Sequence, residues 1–247
     1  MTLPAGILHR LGPYRIAGVG ERHLRVYLPR AGPRRRARRL LVLFDGQNVF
    51  DDGPAFGHVG WRVHEIAERL RSRAPLVVAV EHGGRARLDD LSPHATARSR
   101  GHFPALLGWL ADTLVPDAIA RLGVDPTPGA AVIAGSSMGG LAALHAWLAR
   151  PDRFGAAVCL SPSLWFDAGR TVDALAAARP PPAARLYLDV GAREGPAMVA
   201  CAQRAAAAAA HLGDRLRFRL DPRGRHDERA WRRRFPAALR FALAMSP

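Results

Sequence analysis

The chain is predicted to be an α/β protein, a mostly parallel central sheet with helices on both faces, and three observations predict it. Short apolar runs recur along the 247 residues with helix-patterned segments between them, and that alternation builds a parallel sheet through crossover connections. Several of the runs are unbroken, as strands buried on both faces must be. The length sits near the upper end of what one hydrophobic core supports, so a single domain over 1–247 is expected.

Taken in order, HLRVYLP (23–29) and LLVLF (40–44) read as strands, joined by the arginine-rich AGPRRRARR as an exposed connection. WRVHEIAERLRSR (61–73) places Val63, Ile66, Ala67 and Leu70 on one helical face. LVVAV (76–80) is a buried strand. PALLGWLADTLVPDAIARLG (104–123) is a helix interrupted near Pro116, with Gly123 as its stop. AAVIAG (130–135) runs as a strand into SSMGG and a helix over 141–149. GAAVCL (155–160), RLYLDV (185–190) and RLRFRL (215–220) supply three more strands. An alanine-rich helix over 197–211 and a closing helix over 230–244 complete the pattern. Only about two dozen residues separate strands 155–160 and 185–190, where a lid would be inserted, so no large lid is expected.

The formal net charge of +15 raises a nucleic-acid reading, since clustered cations displace phosphate counterions. Every one of the 36 basic residues is arginine, however, and they are spread along the chain among abundant alanine, glycine and proline. That is the signature of a coding bias in which arginine takes the surface place of lysine. Clusters at Arg34–Arg39 and Arg232–Arg234 stand out, and the first has no interleaved aromatics on which bases would stack. Both read as solvated basic faces, and no nucleic acid is expected. Cys159 and Cys201 are too few and too distant for a disulfide framework or a zinc knuckle, and read as packing residues. Neither H-E-x-x-H nor G-x-x-x-x-G-K occurs, so no metal and no cofactor are expected. The N-terminal segment has no secretory pattern and no run of about 18 apolar residues occurs, which predicts a cytoplasmic protein with no membrane partner.

Chemistry centres on GSSMG, Gly135–Gly139, which matches G-x-S-x-G with Ser137 in the middle. The pentapeptide makes a sharp strand-to-helix turn that lifts the serine hydroxyl clear of a sheet, and side chains at the flanking positions would clash. Ser136 does not fit this frame, because Ala134 and Met138 stand where glycine is required. A serine needs a base. Of the three histidines beyond Ser137, His145 lies on the following helix facing away and His211 ends the alanine-rich helix, which leaves His226 in the loop DPRGRHDERAW. The acid that orients this imidazole is sought in DVGAREG, where Glu194 is favoured over Asp189, with Asp221 a further candidate. Asp189 would otherwise cap the turn. Donors for the oxyanion are expected from the backbone N–H of Met138 and of Gln47, the latter on the loop DGQNVFDD after the early buried strand.

These blocks together resemble the putative-esterase family of α/β hydrolases, which takes in esterase D-like enzymes, enterochelin-type siderophore esterases, feruloyl esterases and mycolyltransferases. LFDGQNVFDD with Trp61, GSSMGGLAALHAWLARPDRFGAAVCLSPSLWF, LDVGAREG and GRHDERAW carry the likeness in order over roughly residues 22–245. It implies the α/β-hydrolase fold and a triad of Ser137, Glu194 and His226, with an oxyanion donor at the DGQ step. The arginine-rich insert and the variable acid position depart from the pattern. Ser161–Phe166 leaves a strand at the same end, so Trp165 and Phe166 are candidates for the substrate pocket, or for a purely structural loop with two buried aromatics. Hydrolysis of a carboxylic ester through an acyl-serine is the expected activity. Acyl transfer to an alcohol on the same triad is a second reading, and a silent fold binding polyanions through its arginines is a third. The natural ester and the oligomeric state are not encoded in any motif found.

Overall fold

The computed structural model describes residues 3–30 and 38–243. Among these, eight strands form one sheet: β1 (Leu8–Ile16), β2 (Gly20–Tyr27), β3 (Leu40–Leu43), β4 (Leu76–Val80), β5 (Ala131–Ser136), β6 (Phe154–Leu160), β7 (Arg185–Gly191) and β8 (Leu216–Asp221). Their spatial order is β1-β2-β4-β3-β5-β6-β7-β8. β2 pairs antiparallel with both β1 and β4, and every pairing from β4 onward is parallel. The chain leaves β3 toward β4 on one side and leaves β5 toward β6 on the other. The carboxyl ends of β3 and β5 therefore flank a crevice, the place where open α/β sheets bind ligands.

Alternation along each strand divides the core in two. Leu40, Val42, Val78, Ile133 and Leu188 face one side, while Leu41, Leu43, Val77, Val132 and Tyr187 face the other. The first side is covered by α3 (Phe103–Trp109), α4 (Val115–Leu122), α5 (Met138–Ala149), α6 (Arg170–Ala177) and α7 (Pro196–Ala208). The second is covered by α1 (Val63–Arg69) and α8 (Glu228–Leu243), the latter through Trp231, Phe235, Ala238, Leu239 and Ala242. Each such fully buried Leu or Phe side chain contributes roughly 1.5–3 kcal/mol of transfer free energy. α2 (Arg87–Leu91) completes the set.

β1 is not predicted by the pattern, because Gly12-Pro13 interrupts it; a register shift between Leu11 and Tyr14 absorbs the interruption on an edge strand. The interruption near Pro116 is a π-helical turn over Leu110–Leu114 that joins α3 to α4, and Gly123 closes α4 with φ 64°. By length and composition the 20-residue stretch Phe103–Leu122 is apolar enough to cross a membrane. Its apolar side, including Phe103, Leu106, Leu110 and Leu114, packs on the sheet instead. The connection between β6 and β7 holds the eight-residue α6 rather than a cap. Arg34, Arg35 and Arg36 lie outside the described residues. Arg234, expected on a solvated face, is instead a wholly buried residue of α8, on the side that packs against the sheet.

Candidate active site

The nucleophile candidate is built by the turn between β5 and α5. Ser137 has φ 55° and ψ −121°, a conformation that non-glycine residues seldom adopt. A Cβ at Gly135 would meet the Gly139 carbonyl carbon at 2.5 Å, so the strand can press on the helix start only with glycine there. The turn leaves the Ser137 hydroxyl at the mouth of the β3–β5 crevice.

His226 and Glu194 converge on it from two later loops. His226 Nε2 lies 2.9 Å from Ser137 Oγ, and His226 Nδ1 lies 2.9 Å from Glu194 Oε2. The two loops touch through backbone bonds from Ala192 N–H to Asp221 O at 2.9 Å and from Arg193 N–H to Gly224 O at 3.0 Å. A Cβ on Gly191 would meet Gly224 backbone at 2.4 Å, so glycine is what allows this approach. Trp231 sets its ring 4.9 Å from the imidazole, edge to face.

Glu194 is held at both oxygens. Its Oε1 accepts from the Ser161 hydroxyl at 2.6 Å and from Gly191 N–H at 2.7 Å, which leaves Oε2 for the imidazole. Burial pushes this carboxyl up, but the hydrogen bonds from His226, Ser161 and Gly191 outweigh it and hold Glu194 below the usual carboxylate range. An ionised Glu194 accepts only, so Nδ1 carries the imidazole hydrogen and Nε2 presents a lone pair to the serine. Asp189 is elsewhere engaged: its Oδ1 accepts from Ser161 N–H at 3.1 Å and its Oδ2 lies 3.3 Å from Arg234 Nε. Asp221 accepts from Arg233 and from Arg223 N–H. His145 packs edge-on against His94 and Phe103, and burial first, then His94, pushes its imidazole down to about 4. His211 lies against the Ala208 carbonyl at the end of α7.

The two candidate oxyanion donors are both amides of first helical turns. Met138 is the first residue of α5 and Gln47 the middle residue of a 3₁₀ turn over Gly46–Asn48, so neither N–H has a partner within its own helix. The Gln47 turn is held from three directions. Asp45, at φ 55°, takes a bidentate pair from Arg87 at 2.6 and 2.7 Å. Asn48 Nδ2 donates to Glu228 Oε1 at 2.9 Å, and its Oδ1 accepts from Phe56 N–H at 3.0 Å. The other Glu228 oxygen accepts from the Trp61 indole. Burial pushes the Glu228 carboxyl up to about 7, against the lowering effects of Trp61 and Arg87.

A cavity of about 490 Å³ opens over these groups, lined among others by Gln47, Phe56, Val59, His82, Ser137, His226 and Trp231. Trp165 and Phe166 are not part of this wall. The Ser163 N–H donates to the Ser137 carbonyl at 3.0 Å, which turns the segment down beside α5. Phe166 then enters the core, and Trp165, 47% exposed, lies against Phe166 and Arg98. Sequence pattern gives no role to Asn48, Trp61, Arg87, Glu228 or Trp231, and places Ser161 only in the segment offered as pocket wall and Arg234 only on a solvated face. No group of three or more metal-ligating side chains occurs among the described residues.

A family model described as Putative esterase matches residues 19–242. The chain belongs to this esterase family. Its fold is shared with several solved structures. The BES protein from Bacillus cereus superposes with a TM-score of 0.79 at 18% identity, over 98% of this chain and 97% of that one. The enterobactin esterase FES from Shigella flexneri gives 0.74 at 21% identity over 97% of this chain, which spans only 60% of the Shigella protein. The siderophore hydrolase EstA from Aspergillus nidulans gives 0.67 at 19% identity, over 100% of this chain and 99% of that one.

Proposed function

We propose that this esterase-family protein hydrolyses carboxylic esters through an acyl-serine formed on Ser137, with His226 as general base and Glu194 as the acid that orients it. The observation that carries the reading is the 2.9 Å spacing on both sides of the imidazole, between groups 89 and 32 residues apart in sequence. Nε2 takes the Ser137 proton as Oγ attacks the ester carbonyl, and the imidazolium is stabilised by Glu194. Charge that develops on the carbonyl oxygen is met by the Met138 and Gln47 amides, fixed before the reaction by the α5 turn and by the Asp45–Arg87 and Asn48–Glu228 contacts. The protonated Nε2 then returns its proton to the departing alcohol, and a water activated by the same nitrogen releases the acid.

The cleft is open and mixed in polarity, with Phe56, Val59 and Trp231 beside His82 and Arg229. Such a site suits esters with a bulky or polar alcohol, and lid-dependent interfacial activation is not expected of it. A panel of esters varying acyl length and alcohol bulk, assayed beside Ser137→Ala, tests the assignment. The variant should lose turnover of every ester while keeping its unfolding transition; retained turnover would overturn the role of Ser137. Added alcohols that divert product from acid to new ester would favour acyl transfer as the natural reaction.

A further inference from the structure

The helix that follows the histidine loop also carries a charge to the far side of Glu194. Arg234, on α8, is fully buried. Its Nη2 donates to Ser161 Oγ at 2.8 Å and lies 3.5 Å from Glu194 Oε1, while its Nε lies 3.3 Å from Asp189 Oδ2. One cation therefore faces two buried carboxyls, both side chains at 0% exposure. With both ionised the cluster would bury a net negative charge, which a dry interior disfavours strongly, so one of the two must hold a proton.

Hydrogen bonding decides which. Glu194 accepts from Ser161, Gly191 and His226, whereas Asp189 has the Ser161 N–H at Oδ1 and no hydrogen bond at Oδ2. Burial accordingly pushes Asp189 up to about 7, partly countered by Arg234. The remaining groups that face the cluster do not substitute for this cation. Tyr187 and Cys159, on β7 and β6, are held in their neutral forms by burial. Arg219, on β8, is exposed, and Asp221 is paired with Arg233. Ser161 completes the relay: its hydroxyl accepts from Arg234 and from the Trp231 indole at 2.9 Å, so its own hydrogen is directed at Glu194.

We infer that Arg234 is a positioning residue for the triad acid, holding Glu194 ionised with Oε2 toward His226 while Asp189 absorbs the excess proton. This rests on the reading of Ser137, His226 and Glu194 as the catalytic triad. The discriminating readout is the acid limb of the kcat/KM profile, which reports proton uptake by the coupled Glu194–His226 pair. Removing a buried positive charge makes that uptake easier. In Arg234→Met the limb should move to higher pH by about one unit or more, the size expected for a charge within about 4–6 Å. Arg234→Lys should return the limb toward its original position even where the rate stays low. Asp189→Asn exchanges a neutral carboxylic acid for a neutral amide and should leave the limb in place; it carries the test by itself if Arg234→Met does not fold, because an ionised Asp189 would show as a limb displaced to lower pH. A loss of rate equal at every pH in Arg234→Met would leave Arg234 a packing cation, and a limb displaced to lower pH in Asp189→Asn would show both carboxyls ionised; either result overturns the proposal. Full activity of Ser137→Ala, by contrast, would remove the triad reading and the proposal with it.

Discussion

At position 137 the usual order of alanine and glycine stability should be inverted. Both Ser137→Ala and Ser137→Gly delete the hydroxyl and its contacts with His226 and Ser163, so their difference isolates the backbone. The residue sits at φ 55°, ψ −121°. Retaining a Cβ in such a sparsely populated region costs about 1–3 kcal/mol. Glycine escapes that strain but gives up roughly 0.5–1 kcal/mol through the greater freedom of its unfolded chain. The glycine variant should therefore be the more stable by about 0.5–2 kcal/mol. For a chain of this size each kcal/mol moves Tm by about 2–4 °C, so the expected gap is roughly 1–8 °C. Thermal and urea unfolding of the two inactive variants in one buffer measures it. An alanine variant as stable as the glycine variant, or more so, would refute the claim that strain is stored at this turn.

Glu194→Gln should lower kcat by roughly 10³–10⁴-fold, since a neutral amide neither selects the productive tautomer nor stabilises an imidazolium; steady-state kinetics with less than a tenfold loss would point to another acid. Arg87→Met frees Asp45 and loosens the Gln47 turn, and a misplaced donor should cost roughly 10- to 100-fold in kcat with a smaller change in KM; an unchanged kcat would show that the turn is held without this pair. Asp189 and Glu228, both raised to about 7, bind a proton more tightly folded than unfolded. The stability they contribute is present at low pH and lost as pH rises through 7. His145, pushed down to about 4, acts oppositely but only below about pH 6.5. Unfolding free energy from urea titration should thus fall by about 1 kcal/mol per carboxyl from pH 6 to pH 8, and Asp189→Asn should remove about half of the fall; a wild-type stability that is flat or rising over this range would contradict it.

Much of this architecture is legible in local pattern. Leu40–Leu43, Leu76–Val80 and Phe154–Leu160 are continuous apolar runs because they lie inside the sheet, and their continuity shows them to be strands. GSSMG is readable because the turn admits few residue types, and a polar loop after the last strand is enough to single out His226. What escapes is whatever depends on distance in sequence. Asn48 and Glu228 meet across 180 residues, Trp61 and Glu228 across 167, and Ser161 and Arg234 across 73. No periodicity encodes such meetings, so a buried Arg234 looks like its solvated neighbours Arg232 and Arg233. Trp165 and Phe166 were misleading for a related reason: leaving a strand at the active-site end does not settle which way a loop turns. In β1, a Gly-Pro pair hid a strand that an edge position tolerates.

On the proposed reading the oxygen of Ser137, and no other, is the activated nucleophile of the cleft. Stoichiometric reaction with a fluorophosphonate, followed by peptide mapping, decides whether it is. One adduct per chain on Ser137, abolished in His226→Ala, is the expected result. Modification of Ser136, Ser161 or Ser163 instead, or brisk ester turnover by a protein that takes up no label, would contradict it.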